Sequence, residues 1–157
     1  MIDPSTKRLS FTLLMSFSDF AGATPGTLPC FRSGGVRCRN IISVMNQNGS
    51  AQEFSKKVEA AALEATAKDQ VYGMTKISGA FKGLAPSDYF LGVNETSGEK
   101  VAIDCALVVK PPGYCRGYID ITPNMKVMYQ YTRDCLADWQ AVHNGITQLF
   151  RKFAKED

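Results

Sequence analysis

The chain is poor in the residues that most often announce chemistry. It has one histidine, His143, and one tryptophan, Trp139, so no second imidazole stands ready to complete a zinc set. No apolar run approaches the roughly 18 residues that a membrane-spanning helix needs. Gly73, Gly79 and Gly83 are not followed by Gly-Lys-Ser/Thr, which excludes a phosphate loop and leaves them to turns. Acidic residues are scarce at the start: residues 1–50 hold Asp3 and Asp19 against Lys7, Arg8, Arg32, Arg37 and Arg39, whereas from residue 51 onward 13 basic residues balance 13 acidic ones. A neutral body with a mildly basic arm carries no nucleic-acid footprint. The five cysteines, at 30, 38, 105, 115 and 135, are odd in number and lack metal-finger spacing. A disulfide framework would leave one thiol over, so reduced or individually modified cysteines are the simpler expectation.

What the chain does have is ordinary globular material: 157 residues, 45% apolar and 21% charged, enough for one domain with a sizeable core. Its longest pattern lies at the end. Met125, Met128, Cys135, Trp139, Val142, Ile146, Leu149 and Phe153 recur at threes and fours once Thr132 is admitted, which is a helical period. Tyr129, Leu136, His143 and Phe150 widen the stripe to the breadth of a core or docking face. With Thr122 as N-cap, Pro123 as first helical residue and Arg151, Lys152 and Lys155 at the last turn, the pattern predicts a helix over 122–155. Asn144-Gly145 is its weak point, since glycine inside a helix costs about 1 kcal/mol relative to alanine; the apolar stripe continues in phase across it, so one helix with a kink there is the expectation and two helices the alternative.

Upstream, residues 1–47 show no sustained period and read as an irregular arm, Ser/Thr-rich and Arg-bearing like an organelle transit peptide, with a signal peptide as the competing reading. Such an arm needs a partner to order it. Ser50 and Glu53 have capping-box spacing, and Phe54, Val58, Ala61 and Ala65 make a stripe running to about Lys68. That helix is expected to pack against the C-terminal one. Short strands are expected at 71–77, 88–93, 101–109 and 114–121, the last two as hairpin mates. The predicted fold class is therefore α+β: an irregular arm (1–47), then a body (48–157) of one helix, three or four short antiparallel strands and a long C-terminal helix.

Candidate chemistry centres on thiols. Cys115 with His143 is the pair that could serve a cysteine nucleophile, since Cys135 and His143 stand about two turns apart on one helix. A thiol can also carry a linear tetrapyrrole, for which a nearby carboxylate and arginine are useful partners. Arg133-Asp134-Cys135 and Cys115-Arg116 supply those residue types, making Cys115 and Cys135 the candidate bilin sites. Asn48-Gly49-Ser50 and Asn94-Glu95-Thr96 fit the glycosylation pattern, which matters only in a secreted protein.

Val71-Tyr72-Gly73, with Gly79-Ala80-Phe81-Lys82-Gly83 after it, resembles a segment of the gamma subunits of red-algal phycoerythrin, the linkers inside phycobilisome rods. Asn124 to Val127 with Tyr131 and Cys135 is similar to a later helix of the same family. The two pieces cover about thirty residues, and the family's cysteine four positions past the tyrosine is Lys76 here. The resemblance implies a non-enzymatic linker of a light-harvesting antenna, located in the plastid at the thylakoid periphery. Its partners would be phycobiliproteins, and Trp139, Phe150 and Phe153 the candidate interface residues. A colourless linker is the first expectation. A free-standing α+β binding domain and a thiol enzyme using Cys115 and His143 are the alternatives.

Overall fold

In the computed structural model, residues 12–16, 20, 41–107 and 113–155 are described. They form an antiparallel sheet of eight strands in the order β1-β2-β8-β7-β6-β5-β4-β3. In chain order these are β1 (Thr12–Ser16), β2 (Ile41–Asn46), helix α1 (Ala51–Glu64), β3 (Asp69–Val71), β4 (Met74–Phe81), β5 (Leu84–Val93), β6 (Lys100–Cys105), β7 (Tyr114–Thr122) and β8 (Met125–Thr132). A 3-10 segment (Arg133–Asp138) then leads into helix α2 (Trp139–Lys155). β3 to β8 form a meander, and β2 lies beside β8 with β1 outside it, so the two N-terminal strands extend the sheet at its β8 side.

This overturns the expected fold. Residues 12–16 and 41–46, assigned above to an irregular arm, are two paired strands of the sheet. The rest of the transit-like stretch, Cys30 and Cys38 included, lies outside the described residues. The predicted helix over 122–155 begins only at Trp139. Residues 125–132 satisfy two periods at once, and the strand period wins: Val127, Tyr129 and Tyr131 are buried, while Lys126, Met128 and Gln130 are only half-buried. Three β-branched or aromatic residues at i, i+2 and i+4 suit a pleated surface better than a helix. Thr122 does use its hydroxyl as a cap does, accepting from the N–H groups of Asn124 and Met125 at 3.3 and 3.0 Å, but the chain it closes is the β7–β8 turn.

Helix α1 keeps its predicted start, with the Ser50 hydroxyl accepting from the Glu53 N–H at 3.3 Å. It does not pack against α2. The two helices lie on opposite faces of the sheet, each over its own core. On the α2 face Ile42, Val44, Phe90, Ile103, Val127, Tyr129, Trp139, Val142 and Ile146 form the larger core. On the α1 face Val58 and Ala61 meet Ile77, Tyr89 and Ala102, with Phe54 beside them.

Two glycines show how closely the larger core is fitted. A Cβ at Gly117 would sit 2.1 Å from the Tyr129 ring, so the ring occupies the place of the missing side chain. A Cβ at Gly145 would lie 2.1 Å from the Phe20 ring. The glycine that weakens α2 in the sequence is therefore the notch that admits Phe20, and the helix continues through it.

Candidate functional site

The thiols and the histidine of the sequence reading do not converge on a usable site. Cys115 is bonded to Cys105 in a disulfide, the two being register partners on β7 and β6 and both fully buried. A sulfur held in that bond can be neither a nucleophile nor the anchor of a bilin thioether. This corrects the expectation of reduced cysteines, because the 10-residue separation pairs two cysteines that face each other across adjacent strands. Cys135 is 5% exposed in the 3-10 segment, its Sγ 4.0 Å from the Thr132 hydroxyl. Burial, opposed in part by that hydroxyl, pushes its thiol up, away from the reactive thiolate.

His143 is 2% exposed on α2, and its Nδ1 lies 3.0 Å from the Tyr129 hydroxyl. Burial, helped by the charge of Arg151, lowers its pKa to about 4. It is a neutral core residue at physiological pH. Trp139 is equally buried, with its Nε1–H donating to the Tyr72 carbonyl at 3.0 Å. Phe150 is buried and meets Phe153 edge-on, and Phe153 alone of the three candidate interface residues is exposed, at 49%. Among the described residues, no group of three His, Cys, Asp or Glu side chains is placed to hold a metal ion, and no helix is long and apolar enough to cross a membrane.

The residues behind the first piece of the resemblance lie at turns, while those of the second, Met125 to Val127 with Tyr131 and then Cys135, lie in β8 and the 3-10 segment instead of a helix like the family's. Tyr72 and Gly73, with φ of 51° and 76°, make the two-residue β3–β4 turn, and Gly79 to Gly83 span the β4 irregularity and the β4–β5 turn. A two-residue hairpin with positive φ at both central positions favours Asn-Gly, so Tyr72 is held against that preference. The Trp139 hydrogen bond to its carbonyl is the visible restraint.

The polar constellation that does assemble lies on the other face. A cleft of about 340 Å³ opens between the first half of α1, the β4–β5 turn, the end of β6 at Asp104 and the first half of β7. Its floor is aromatic: Phe54 packs at 4.6 Å from Tyr118 and 6.3 Å from Tyr89 between ring centroids. Against this floor stands Asp104, whose side chain is only 7% exposed. Arg116, its register partner on β7, donates from Nε and Nη2 to Asp104 Oδ2 at 3.2 and 2.9 Å, and the Tyr118 hydroxyl donates to Oδ1 at 3.0 Å.

The electrostatics follow from that arrangement. Burial alone would lower the Arg116 pKa, but the Asp104 charge outweighs it and holds the guanidinium protonated. Burial and then Asp104 raise Tyr118 and Tyr89, so both hydroxyls stay neutral. The carboxylate is consumed internally, whereas the Arg116 side chain is 49% exposed toward the mouth. Lys57 and Glu53 stand on the rim, one turn apart on α1, with Leu84 and Ala85 opposite. The cleft thus offers an apolar floor beside a fixed cation, with Glu53 and Lys57 at its edge.

Sequence reasoning missed this site, although a signal existed. Ile103-Asp104-Cys105 and Cys115-Arg116-Gly117 run as mirror images about the intervening loop, placing Cys opposite Cys and acid opposite base. An antiparallel hairpin pairs such positions by its geometry. Helix α1 is fixed over the cleft by Asp120 of β7, which accepts from the Ala51 and Gln52 N–H groups at 2.9 and 3.2 Å and from the Ser50 hydroxyl at 3.0 Å.

No family model, curated protein or solved structure matches this chain. Function is therefore read from the site.

Proposed function

We propose that the protein is a non-enzymatic binding module whose recognition site is the α1 cleft. Its ligand is a segment of a partner protein that presents an acidic side chain next to an apolar one. The observation carrying this is the half-exposed Arg116, pinned by a buried carboxylate beside the rings of Phe54 and Tyr118. A guanidinium so held has lost its side-chain freedom before binding, which reduces the ordering cost of a carboxylate contact. The volume accommodates one or two side chains, in the range of ordinary ligand clefts.

The antenna setting, with phycobiliproteins as partners in the plastid, rests on the resemblance of residues 71–83 and 124–135. It is one context for this module.

The test uses 3-phenylpropionate, an aryl carboxylate that reproduces the acidic and apolar pair, titrated into the protein and followed by amide chemical shifts. The expected result is saturable shifts at Phe54, Leu84 and Arg116, weakened about tenfold in Arg116→Gln, a loss of the order of 1.4 kcal/mol. Shifts elsewhere, or equal affinity in Arg116→Gln, would remove the cleft as the recognition site.

A further inference from the structure

The ladder between β6 and β7 is the shortest in the interior of the sheet. β7 pairs with β8 over eight register positions and β5 with β6 over six, but β6 and β7 share only three: Ile103 with Gly117, Asp104 with Arg116, and Cys105 with Cys115. One backbone bond beyond them, from the Ala106 N–H to the Tyr114 carbonyl at 3.0 Å, completes the seam. Two cross-strand bonds reinforce it on opposite faces: the disulfide in the α2-side core, and the Asp104–Arg116 pair in the cleft. Successive residues of a strand point to opposite faces, so the disulfide and the ion pair are adjacent rungs of one short ladder.

We propose that the Cys105–Cys115 disulfide is a redox control of the α1 cleft, with the oxidised protein the binding-competent form. The proposal rests on the reading of that cleft as the recognition site. With the disulfide closed, β6 and β7 are held in register and Arg116 is presented beside Asp104. With it open, a seam of three register pairs separates β3 to β6 from β7, β8, β2 and β1. The covalent link across that seam is then gone, and what remains is the short ladder with the Asp104–Arg116 pair and the Tyr118 hydrogen bond to Asp104.

The reductant is a dithiol. One of its thiolates attacks either sulfur of the bond, forming a mixed disulfide and releasing the other cysteine, which takes up a proton. The second thiol of the reductant resolves the mixed disulfide, so that Cys105 and Cys115 both become thiols and the dithiol is oxidised to a disulfide. Two electrons and two protons pass to the protein. Both cysteines are buried, so attack follows local opening at the end of the ladder, where Ala106 and Leu107, directly after Cys105, are exposed.

The experiment compares the full chain before and after reduction with dithiothreitol, the thiols then being capped with iodoacetamide and the state confirmed by intact mass. Amide hydrogen exchange and the 3-phenylpropionate titration are both recorded. Reduction is expected to speed exchange at least tenfold in β6 and at the β6-facing amides of β7, leave Val127 and Tyr129 of β8 protected, and weaken 3-phenylpropionate binding at least tenfold. The double variant Cys105→Ser/Cys115→Ser should reproduce the reduced form; if it does not fold, the dithiothreitol-reduced wild type carries the measurement. Unchanged exchange at the seam overturns the proposal. Faster exchange with undiminished binding also overturns it while leaving the cleft reading standing. Absence of binding in the oxidised protein sinks the cleft reading and the redox control with it.

Discussion

The two faces of the sheet hold similar residue types in opposite condition. On the α2 face a histidine, two tyrosines and a cysteine are sealed into an apolar core, and burial holds each in its neutral form. On the α1 face an aspartate, an arginine and two tyrosines are drawn together by charge, and the arginine reaches solvent. Polar groups buried among neutral neighbours are held uncharged, while polar groups buried with a charged partner keep one member available. The chemistry predicted for His143 and the cysteines fell on the sealed face, and the usable constellation is on the other.

The largest break in that comparison comes from removing the keystone of the sealed face. Trp139 is 2% exposed, fills the space left by Gly92 and donates to the Tyr72 carbonyl. Trp139→Ala is expected to cost about 3–5 kcal/mol by cavity formation alone, measured by urea unfolding. A loss below about 1 kcal/mol would place Trp139 on a surface rather than in a core.

Acid should open the sealed face next. The His143 pKa is about 4 in the folded protein against an ordinary 6.5, so folding favours the neutral ring. Its contribution is fully present above pH 6.5 and is lost as pH falls from 6.5 toward 4, up to about 3 kcal/mol by linkage. Asp88 acts in a lower window: burial would raise it, but the Ser78 hydrogen bond and Arg133 outweigh burial and hold it below the usual carboxylate range. Its contribution is present above the ordinary carboxylate pKa and lost as pH falls through its depressed folded value. His143→Gln should flatten the stability profile between pH 6.5 and 4 and leave the lower fall in place. An unchanged slope in the variant would show that His143 is not the titrating group.

A smaller break acts on the open face. Asp120→Ala removes the acceptor shared by Ser50, Ala51 and Gln52, with an expected loss of about 1–2 kcal/mol as for other N-terminal caps. Hydrogen exchange should rise in the first turn of α1 before it rises in β8. Equal exchange in the two would mean that α1 is not separately tethered.

How much of this was legible in the sequence differs between the faces in the same way. Helix α1 was readable because Ser50 and Glu53 carry a local signal and Phe54, Val58 and Ala61 a single period. β8 was not, because Met125, Met128 and Cys135 offer a helical spacing that Val127, Tyr129 and Tyr131 contradict, and only pairing with β2 and β7 decides between them. β1 and β2 were hidden for the same reason, since two short strands have no meaning until β8 is there to receive them. The cleft needed Asp104 and Arg116 to meet across a seam, which no single-strand pattern contains.

The smallest effect is the sharpest test of what sealing means. The Tyr131 hydroxyl, on a side chain only 1% exposed, has no hydrogen-bond partner among the described residues. Its ring stacks on Tyr129, with centroids 5.8 Å apart and planes 13° from parallel. A buried hydroxyl without a partner has given up its bonds to water and gained nothing in return, so deleting it should relieve a cost and leave the ring packing intact. Tyr131→Phe is therefore expected to be neutral or stabilising by up to about 1 kcal/mol. Tyr129→Phe, which removes the partner of His143 Nδ1, should destabilise by about 1 kcal/mol. Thermal unfolding of the two variants side by side decides it. A Tyr131→Phe loss as large as that of Tyr129→Phe would mean that the Tyr131 hydroxyl is satisfied in solution, by a buried water at this end of the core.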